Sequence, residues 1–284
     1  MRAVKTLFLL TALTMLLVLG GDAIAGQQGM TFGLIIAVVM NGVAYFFSDK
    51  IALRSSGAQP VTREQLPRLY EVMERLVAKA QLPMPKLYVI PQPAPNAFAT
   101  GRNPSHASVA VTAGLMELMN DDELEGVIAH ELSHVRNYDI LITSIAATLA
   151  GAITWIASMG RWAMIFGGYG NSRDNRNGGG LAALLMLIIA PIAALVIQLG
   201  ISRQREFAAD ASGAKMVGHP YGLVSALEKL GAYNKRIPMN VPPATASLFI
   251  VAPLSAGQVF SGLFSTHPPL SERIAVLRNM TVTR

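Results

Sequence analysis

Residues 127–135 read Val-Ile-Ala-His-Glu-Leu-Ser-His-Val. On a helix, His130 and His134 stand one turn apart on a single face, so both imidazoles reach the same ion. Glu131, next to the first of them, is placed to take a proton from a water beside that ion and to pass it on to a leaving amine. An ion held by three protein ligands keeps a position for water and lowers that water's pKa toward about 7. The competing interpretation is a chance match on a surface helix. Only five histidines occur in 284 residues, and uncharged residues flank the motif, so the metal interpretation is preferred.

A third ligand must come from elsewhere in the chain. Residues 205–210 read Arg-Glu-Phe-Ala-Ala-Asp, which sets Glu206 and Asp210 four apart on one helical face. Either Glu206 binds the ion while Asp210 hydrogen-bonds a ligand imidazole, or the two form an exposed acidic pair balancing Arg203 and Arg205. Spacing alone does not choose between them.

The elements that carry these groups can be read from pattern. Asn120, Asp121 and Asp122 offer an N-cap, with Glu125 placed for a capping box, and open a helix through about residue 137. A helix beginning at Thr62 shows Leu66, Leu69, Met73, Leu76 and Val77 at helical spacing and ends before Pro83 and Pro85. Residues 86–90 and 107–111 are β-prone. Helices are expected over about 203–217, followed by a Pro-containing segment, and over about 270–279.

Apolar residues make up 52% of the chain and charged ones 14%, well under the roughly 25% of an ordinary soluble protein. The apolar excess sits in four blocks, at about 6–19, 30–47, 140–159 and 181–201. The later two are long enough to span a bilayer, and the first is marginal. The start of the chain, with Arg2 and Lys5 before the apolar run and Ala23-Ile24-Ala25 after it, also fits a cleaved signal peptide. The second block follows so closely that a helical hairpin in the membrane is the better account. Asn41 and Gln198, inside apolar blocks, are expected to be interhelical hydrogen-bond partners. Positive charge at the N-terminus and over 50–63, and none over 20–29, places residues 48–139 in the cytoplasm. Arg161, Arg173 and Arg176 in the third link run against this orientation.

The net charge of +6 is scattered and not interleaved with aromatics, so it favours a membrane surface over nucleic acid. The absence of cysteine excludes a disulfide framework, a cysteine zinc finger and a cysteine nucleophile. Few ionisable residues fall in the spans and no inverted repeat is visible, which weakens a transporter reading. The polar start of the HExxH helix argues against a site within the bilayer.

Taken together, His-Glu-Leu-Ser-His at 130–134 with Asn137 and Asp139, the 205–210 run, Asn96-Ala97-Phe98-Ala99, and Thr266-His267-Pro268-Pro269 leading to Arg273-Ile274 resemble the HtpX-type membrane metalloproteases, relatives of the CAAX prenyl endoproteases. The resemblance implies that Glu206 is the third zinc ligand and that Asp210 supports the site. It implies that Asn96–Ala99 is an edge strand pairing with extended substrate, and that His267 steadies the oxyanion of the tetrahedral intermediate. His106 and His219 match no motif and are expected to be structural or exposed.

The expected architecture is a mainly α-helical integral membrane protein with about four transmembrane helices and a zincin-like α+β metalloprotease domain. Residues 1–47 form a transmembrane hairpin, 48–139 the first part of the catalytic domain, 140–201 a second hairpin with a polar loop, and 202–284 the second catalytic part. The expected activity is zinc-dependent hydrolysis of internal peptide bonds in misfolded or damaged membrane proteins, with one zinc per chain and with self-cleavage as a side reaction. The expected location is the bacterial cytoplasmic (inner) membrane, with the catalytic domain facing the cytoplasm.

Overall fold

A computed structural model describes residues 2–151, 203–234, 236–239, 241–253 and 268–282. Helical φ/ψ run through α1 (Arg2–Ser55) except at Ala25 and Gly26, where the chain turns back. Gly26 has φ +57°, a left-handed conformation that costs glycine little. Two arms result. Asn41 on the second arm donates to the Leu10 carbonyl at 3.2 Å and to Thr14 Oγ1 at 2.9 Å on the first, the interhelical role expected of it. Gln198 lies outside the described residues.

Among the described residues one helix, Ala25–Ser55, is long and apolar enough to cross a membrane; Thr6–Asp22 and α5 (Asp139–Gly151) are shorter apolar helices. The rest of the third apolar block and all of the fourth lie outside the described residues. α5 packs its Ile142, Ile145, Ala146 and Leu149 against Leu9, Leu13 and Ala44 of the hairpin, so three apolar helices form one cluster.

A four-stranded sheet holds the catalytic part together, in the order β1 (Gln59–Pro60), β2 (Lys86–Ile90), β4 (Ala107–Thr112), β3 (Ala97–Gly101). β2 and β4 are parallel; β1 pairs with β2, and β3 with β4, antiparallel. Every residue of β3 and β4 is buried because both sheet faces are covered. Ala97, Ala99, Val109 and Val111 face the helices. Phe98, Ala110 and Ile90 face a second core with Ala52 and Leu53 of α1, Ala147 of α5, and Phe249.

The helical face is built from α2 (Pro67–Ala80), α4 (Asp121–Arg136), α6 (Arg203–Val217) and α7 (Tyr221–Asn234), with α3 (Ala113–Leu118) short, α8 (Pro243–Ala246) a single turn and α9 (Leu270–Arg278) closing the order. α2 starts later than the spacing predicts, because Pro67 supplies its first turn while Thr62–Leu66 forms turns before it. α7 was not expected from the sequence pattern. The capping box of α4 also differs from expectation. Asn120 is the N-cap and accepts from Glu123 N at 2.9 Å, while Glu123 Oε2 accepts from Asn120 N at 2.9 Å. Glu125 lies instead within 3.6 Å of Arg75 and Lys79. Glu123 takes the capping role because it is the third residue after the Asn120 N-cap, and Lys229 (2.7 Å) and Ser225 (2.6 Å) further hold its carboxylate between α4 and α7.

Candidate metal centre

α4 runs buried through the helical layer and presents His130 and His134 from successive turns. α6 crosses the same turn with Glu206 and Asp210 on its inner face. Gly213 permits this close crossing: a Cβ there would lie 3.0 Å from His130 N. Three side chains therefore meet from two helices, with Glu206 lying 72 residues beyond His134 in sequence.

The Nε2 atoms of His130 and His134 are 3.2 Å apart. Glu206 brings Oε1 to 3.5 Å from His134 Nε2 and Oε2 to 3.7 Å from His130 Nε2. Ligands around a tetrahedral ion at about 2.0–2.1 Å have donor atoms about 3.3 Å apart, so the three separations match one small ion.

Hydrogen-bond geometry supports the same conclusion. His130 Nδ1 lies 2.8 Å from Asp210 Oδ1, and that carboxylate fixes the proton on Nδ1 and leaves the Nε2 lone pair facing the cluster. Arg273 Nη2, 3.4 Å from the same Nδ1, is then a contact and not a donor to it. His134 Nδ1 faces Asp139 Oδ2 at 3.4 Å. His130 is pushed below the usual histidine range by burial, with Arg273 and His134 adding to the effect against Asp210, so it stays neutral. Burial also disfavours charge on His134. Asp139, Glu206 and Glu131 outweigh it and push that imidazole up to about 9. The cluster thus favours positive charge where three ligand atoms converge, and a proton and a metal ion compete for it.

Glu131 is 2% exposed and shares a narrow cleft of about 20 Å³ with the three ligands. Burial, with Glu206, raises its carboxyl to about 7; His134, the Ala99 backbone N–H and Arg273 pull the other way. A carboxylate of this kind is poised for proton transfer near neutrality.

Arg273 was known from the sequence only as part of a motif, and its role is structural. It is 0% exposed. Nε and Nη2 donate to the two oxygens of Asp210 at 2.8 and 2.6 Å, Nη1 donates to the Ile250 carbonyl at 3.0 Å, and Nη1 lies 3.7 Å from Glu206. Asp139, the partner of His134, was likewise quoted without a role. The i,i+5 spacing from His134 across a helix end was the one available signal.

The structure places the Asn96–Ala99 run at the sheet edge. The Asn96 carbonyl accepts from Thr112 N at 2.9 Å, so Asn96, Phe98 and Thr100 turn toward β4 and Ala97, Ala99 and Gly101 turn outward. Part of the outward edge is used within the chain. Ile250 N donates to the Ala97 carbonyl at 2.9 Å, Asn96 Nδ2 donates to the Val251 carbonyl at 2.8 Å, and Ala97 N donates to Asn96 Oδ1 at 3.1 Å. The Phe98 ring is core, packed edge-on against Phe249 at 4.9 Å between centroids. Ala99 lines the cleft together with Ser247, Leu248 and Ile250. His267 lies outside the described residues. His106 is exposed and bonded to Asn103 Oδ1 at 2.8 Å, and His219 stacks on Tyr221.

An HExxH helix, a glutamate from a second helix and a sheet edge at the cleft define a metal-dependent peptidase. Residues 63–281 match the model of peptidase family M48, and the chain belongs to that family. It is 57% identical over 274 residues to a Protease HtpX homolog of Desulfatibacillum aliphaticivorans, covering 96% of this chain and 88% of that one. It is 50% identical over 282 residues to a Protease HtpX homolog of Pelotomaculum thermopropionicum, covering 99% and 100%. The fold resembles the crystal structure of S. mikatae Ste24p, with a TM-score of 0.54 at 22% identity, over 97% of this chain and 65% of that one. The protein is a membrane-associated metalloprotease, and His130, His134 and Glu206 form a group that could hold a metal ion.

Proposed function

We propose that the protein is a zinc-dependent endopeptidase integral to the bacterial cytoplasmic membrane through about four transmembrane helices. Its catalytic domain faces the cytoplasm, and its substrates are misfolded or damaged membrane proteins. The observation that carries the reading is the 3.2 Å approach of two imidazole nitrogens beside the Glu206 carboxylate. Two nitrogens and one oxygen, without sulfur, suit zinc in a catalytic site, whereas magnesium and calcium prefer all-oxygen shells. A bound zinc would supply Lewis acidity and acidify a water.

The chain's own residues do the rest. Glu131 accepts the proton of an attacking water and returns it to the leaving amine, a role its carboxyl near 7 suits. Asp210 and Arg273 hold the His130 tautomer, and Asp139 orients His134. Extended substrate pairs with the outward side of β3 beyond Ala97, along Ala99 and Gly101. Asn96 and Ala97 position that edge through Val251 and Ile250, and Ala99 sets the register opposite Glu131. Pairing through the backbone suits broad specificity. His267 donates to the developing oxyanion.

Metal content and casein cleavage measured on the parent, Glu131→Gln and Glu206→Ala proteins test this reading. Zinc retained without cleavage in Glu131→Gln, and zinc lost in Glu206→Ala, is the expected pattern. A Glu131→Gln protein that cleaves casein at the parental rate ends the assignment.

A further inference from the structure

Away from the metal cleft, a cavity of about 390 Å³ opens between the last turns of α1, the start of β2 and the β3–β4 connection. Its walls carry Lys50, Lys86 and Arg102 together with Ser105, His106 and Ser108; Asp49 is the single carboxylate among its lining residues. Elsewhere on the domain, cations hold carboxylates: Arg68 bonds Asp121, Lys229 bonds Glu123, and Arg278 bonds Glu228. Among the described residues, no ion pair involves Lys50, Lys86 or Arg102; Lys50 instead lies 5.3 Å from the Phe47 ring centroid.

The mouth of the cavity has the opposite character. Tyr45, Phe46 and Met84 line it and are exposed, and Phe46 continues an exposed apolar stripe with Val43 and Val39 up the arm Ala25–Ser55. Gly42 beside this stripe meets nothing within 4 Å of where its Cβ would stand, so the lane is open. Cations and hydroxyls thus sit at the foot of an apolar lane on a helix long enough to span. This arrangement matches an amphiphile with an anionic head and an acyl tail. The volume is more than ten times a water's share of liquid volume, about 30 Å³, which gives room for a headgroup.

We propose that this cavity is a binding site for the phosphate headgroup of an anionic membrane phospholipid, with the acyl chain laid along Phe46, Val43 and Val39. The proposal rests on the membrane placement given above. Basic hollows where spans meet the aqueous side are where such headgroups bind, and each cation near the surface contributes about fivefold in affinity. Ser105 and Ser108 hydroxyls donate to phosphate oxygens, and the guanidinium of Arg102 suits two of them at once.

Native mass spectrometry and vesicle flotation of the full-length protein test the site, with phosphatidylglycerol, phosphatidylcholine and inorganic phosphate as probes. The expected result is one phosphatidylglycerol retained per chain, at least tenfold in preference to phosphatidylcholine. The pair Lys86→Ala/Arg102→Ala lowers that affinity by about 30-fold. Arg63→Ala/Lys79→Ala, outside the cavity, leaves it within about twofold. Circular dichroism and zinc content establish that both variants are folded. Equal losses in the two variants mean diffuse surface attraction and overturn the site. Displacement of the lipid by an equimolar amount of inorganic phosphate overturns the lipid assignment in favour of a free-phosphate site. Equal retention of phosphatidylglycerol and phosphatidylcholine in the native mass spectrum overturns only this proposal, whereas a chain that floats with neither vesicle loses the membrane placement itself.

Discussion

Replacing Arg273 by Met leaves the shape of the site nearly intact while removing its buried cation. The Asp210 carboxylate, 1% exposed, then keeps His130 Nδ1–H but loses donors at 2.8 and 2.6 Å, and the Ile250 carbonyl loses one at 3.0 Å. Breaking a buried pair by removing one partner costs about 3–5 kcal/mol, because an uncompensated charge stays behind. The sign of the electrostatic response follows from Asp210. Burial raises its pKa, and Arg273 with His130 overrides that and holds it below the usual range. Without the guanidinium, Asp210 rises and accepts a proton, and its grip on the His130 tautomer weakens. Loss of such outer support typically lowers metal affinity about 10- to 100-fold. Two readouts are therefore expected to move together: thermal stability of the detergent-solubilised protein, and zinc affinity measured by competition with a chelator. Arg273→Lys should fall between, since one ammonium cannot span both Asp210 oxygens and also reach the Ile250 carbonyl. An Arg273→Met protein within 1 kcal/mol of the parent in stability and with unchanged zinc affinity would refute the claim that Arg273 holds this centre together.

Three further outcomes can be measured. Glu131→Gln should bind zinc like the parent and lose about a hundredfold to ten-thousandfold in casein cleavage; a loss of less than tenfold removes the general-base role. Gly213→Val should cost about 1–3 kcal/mol and weaken zinc binding, because the added Cβ meets His130 N at 3.0 Å and must push α6 off α4; unaltered chelator competition would contradict that packing. Glu123 is held below the usual carboxylate range, since Lys229, Ser225 and the Asn120 N–H together outweigh the burial that opposes them. Its stabilisation is therefore complete above the unfolded value of about 4.3 and disappears as pH falls through the lower folded value. Glu123→Gln should lose about 1 kcal/mol at pH 7, a modest figure because Lys229 is partly solvent-exposed, and the deficit should vanish toward pH 3. A deficit independent of pH would show that the carboxylate charge is not what matters.

The centre was largely legible because its chemistry is local in sequence. His130, Glu131 and His134 are fixed by one helical turn; spacing set Glu206 and Asp210 on one face of another, and only the family resemblance chose Glu206 as a ligand. What spacing cannot supply is which turns meet. That depends on Gly213 being small enough for α6 to touch the His130 backbone, and an isolated glycine in a helix carries no such message. Arg273 was obscured for a related reason: a basic residue near a helix start reads as solvent-facing until its two acceptors arrive from α6 and from the 250 segment. The capping box closes on Glu123 and not Glu125 because, of the three candidates Asn120, Asp121 and Asp122, the helix starts after Asn120, which makes Glu123 the third residue. Helix α7 escaped notice because its Gly222 and Gly231 dilute the apolar period.

The link between sheet and membrane bears on how the enzyme meets its substrate. Asp139, which orients His134, is also the first residue of the apolar helix α5. Five residues on, Ser144 Oγ lies 2.7 Å from Thr100 Oγ1 of the edge strand, and both side chains are fully buried. The edge strand β3, proposed to pair with substrate, and His134, proposed to bind the metal, are thus tied to the same apolar helix within its first two turns, about 8 Å of axial rise. Under the proposed membrane placement, an extended segment paired with Ala99 and Gly101 lies beside the start of α5, the helix that leads toward the bilayer. If the proposed membrane placement holds, bonds just outside a span are reached before those in distant soluble domains. Moving a single scissile sequence stepwise away from the span of a model membrane substrate should therefore reduce cleavage. A rate that stays flat over 20 residues of added linker would break this connection between the Thr100–Ser144 tie and substrate choice.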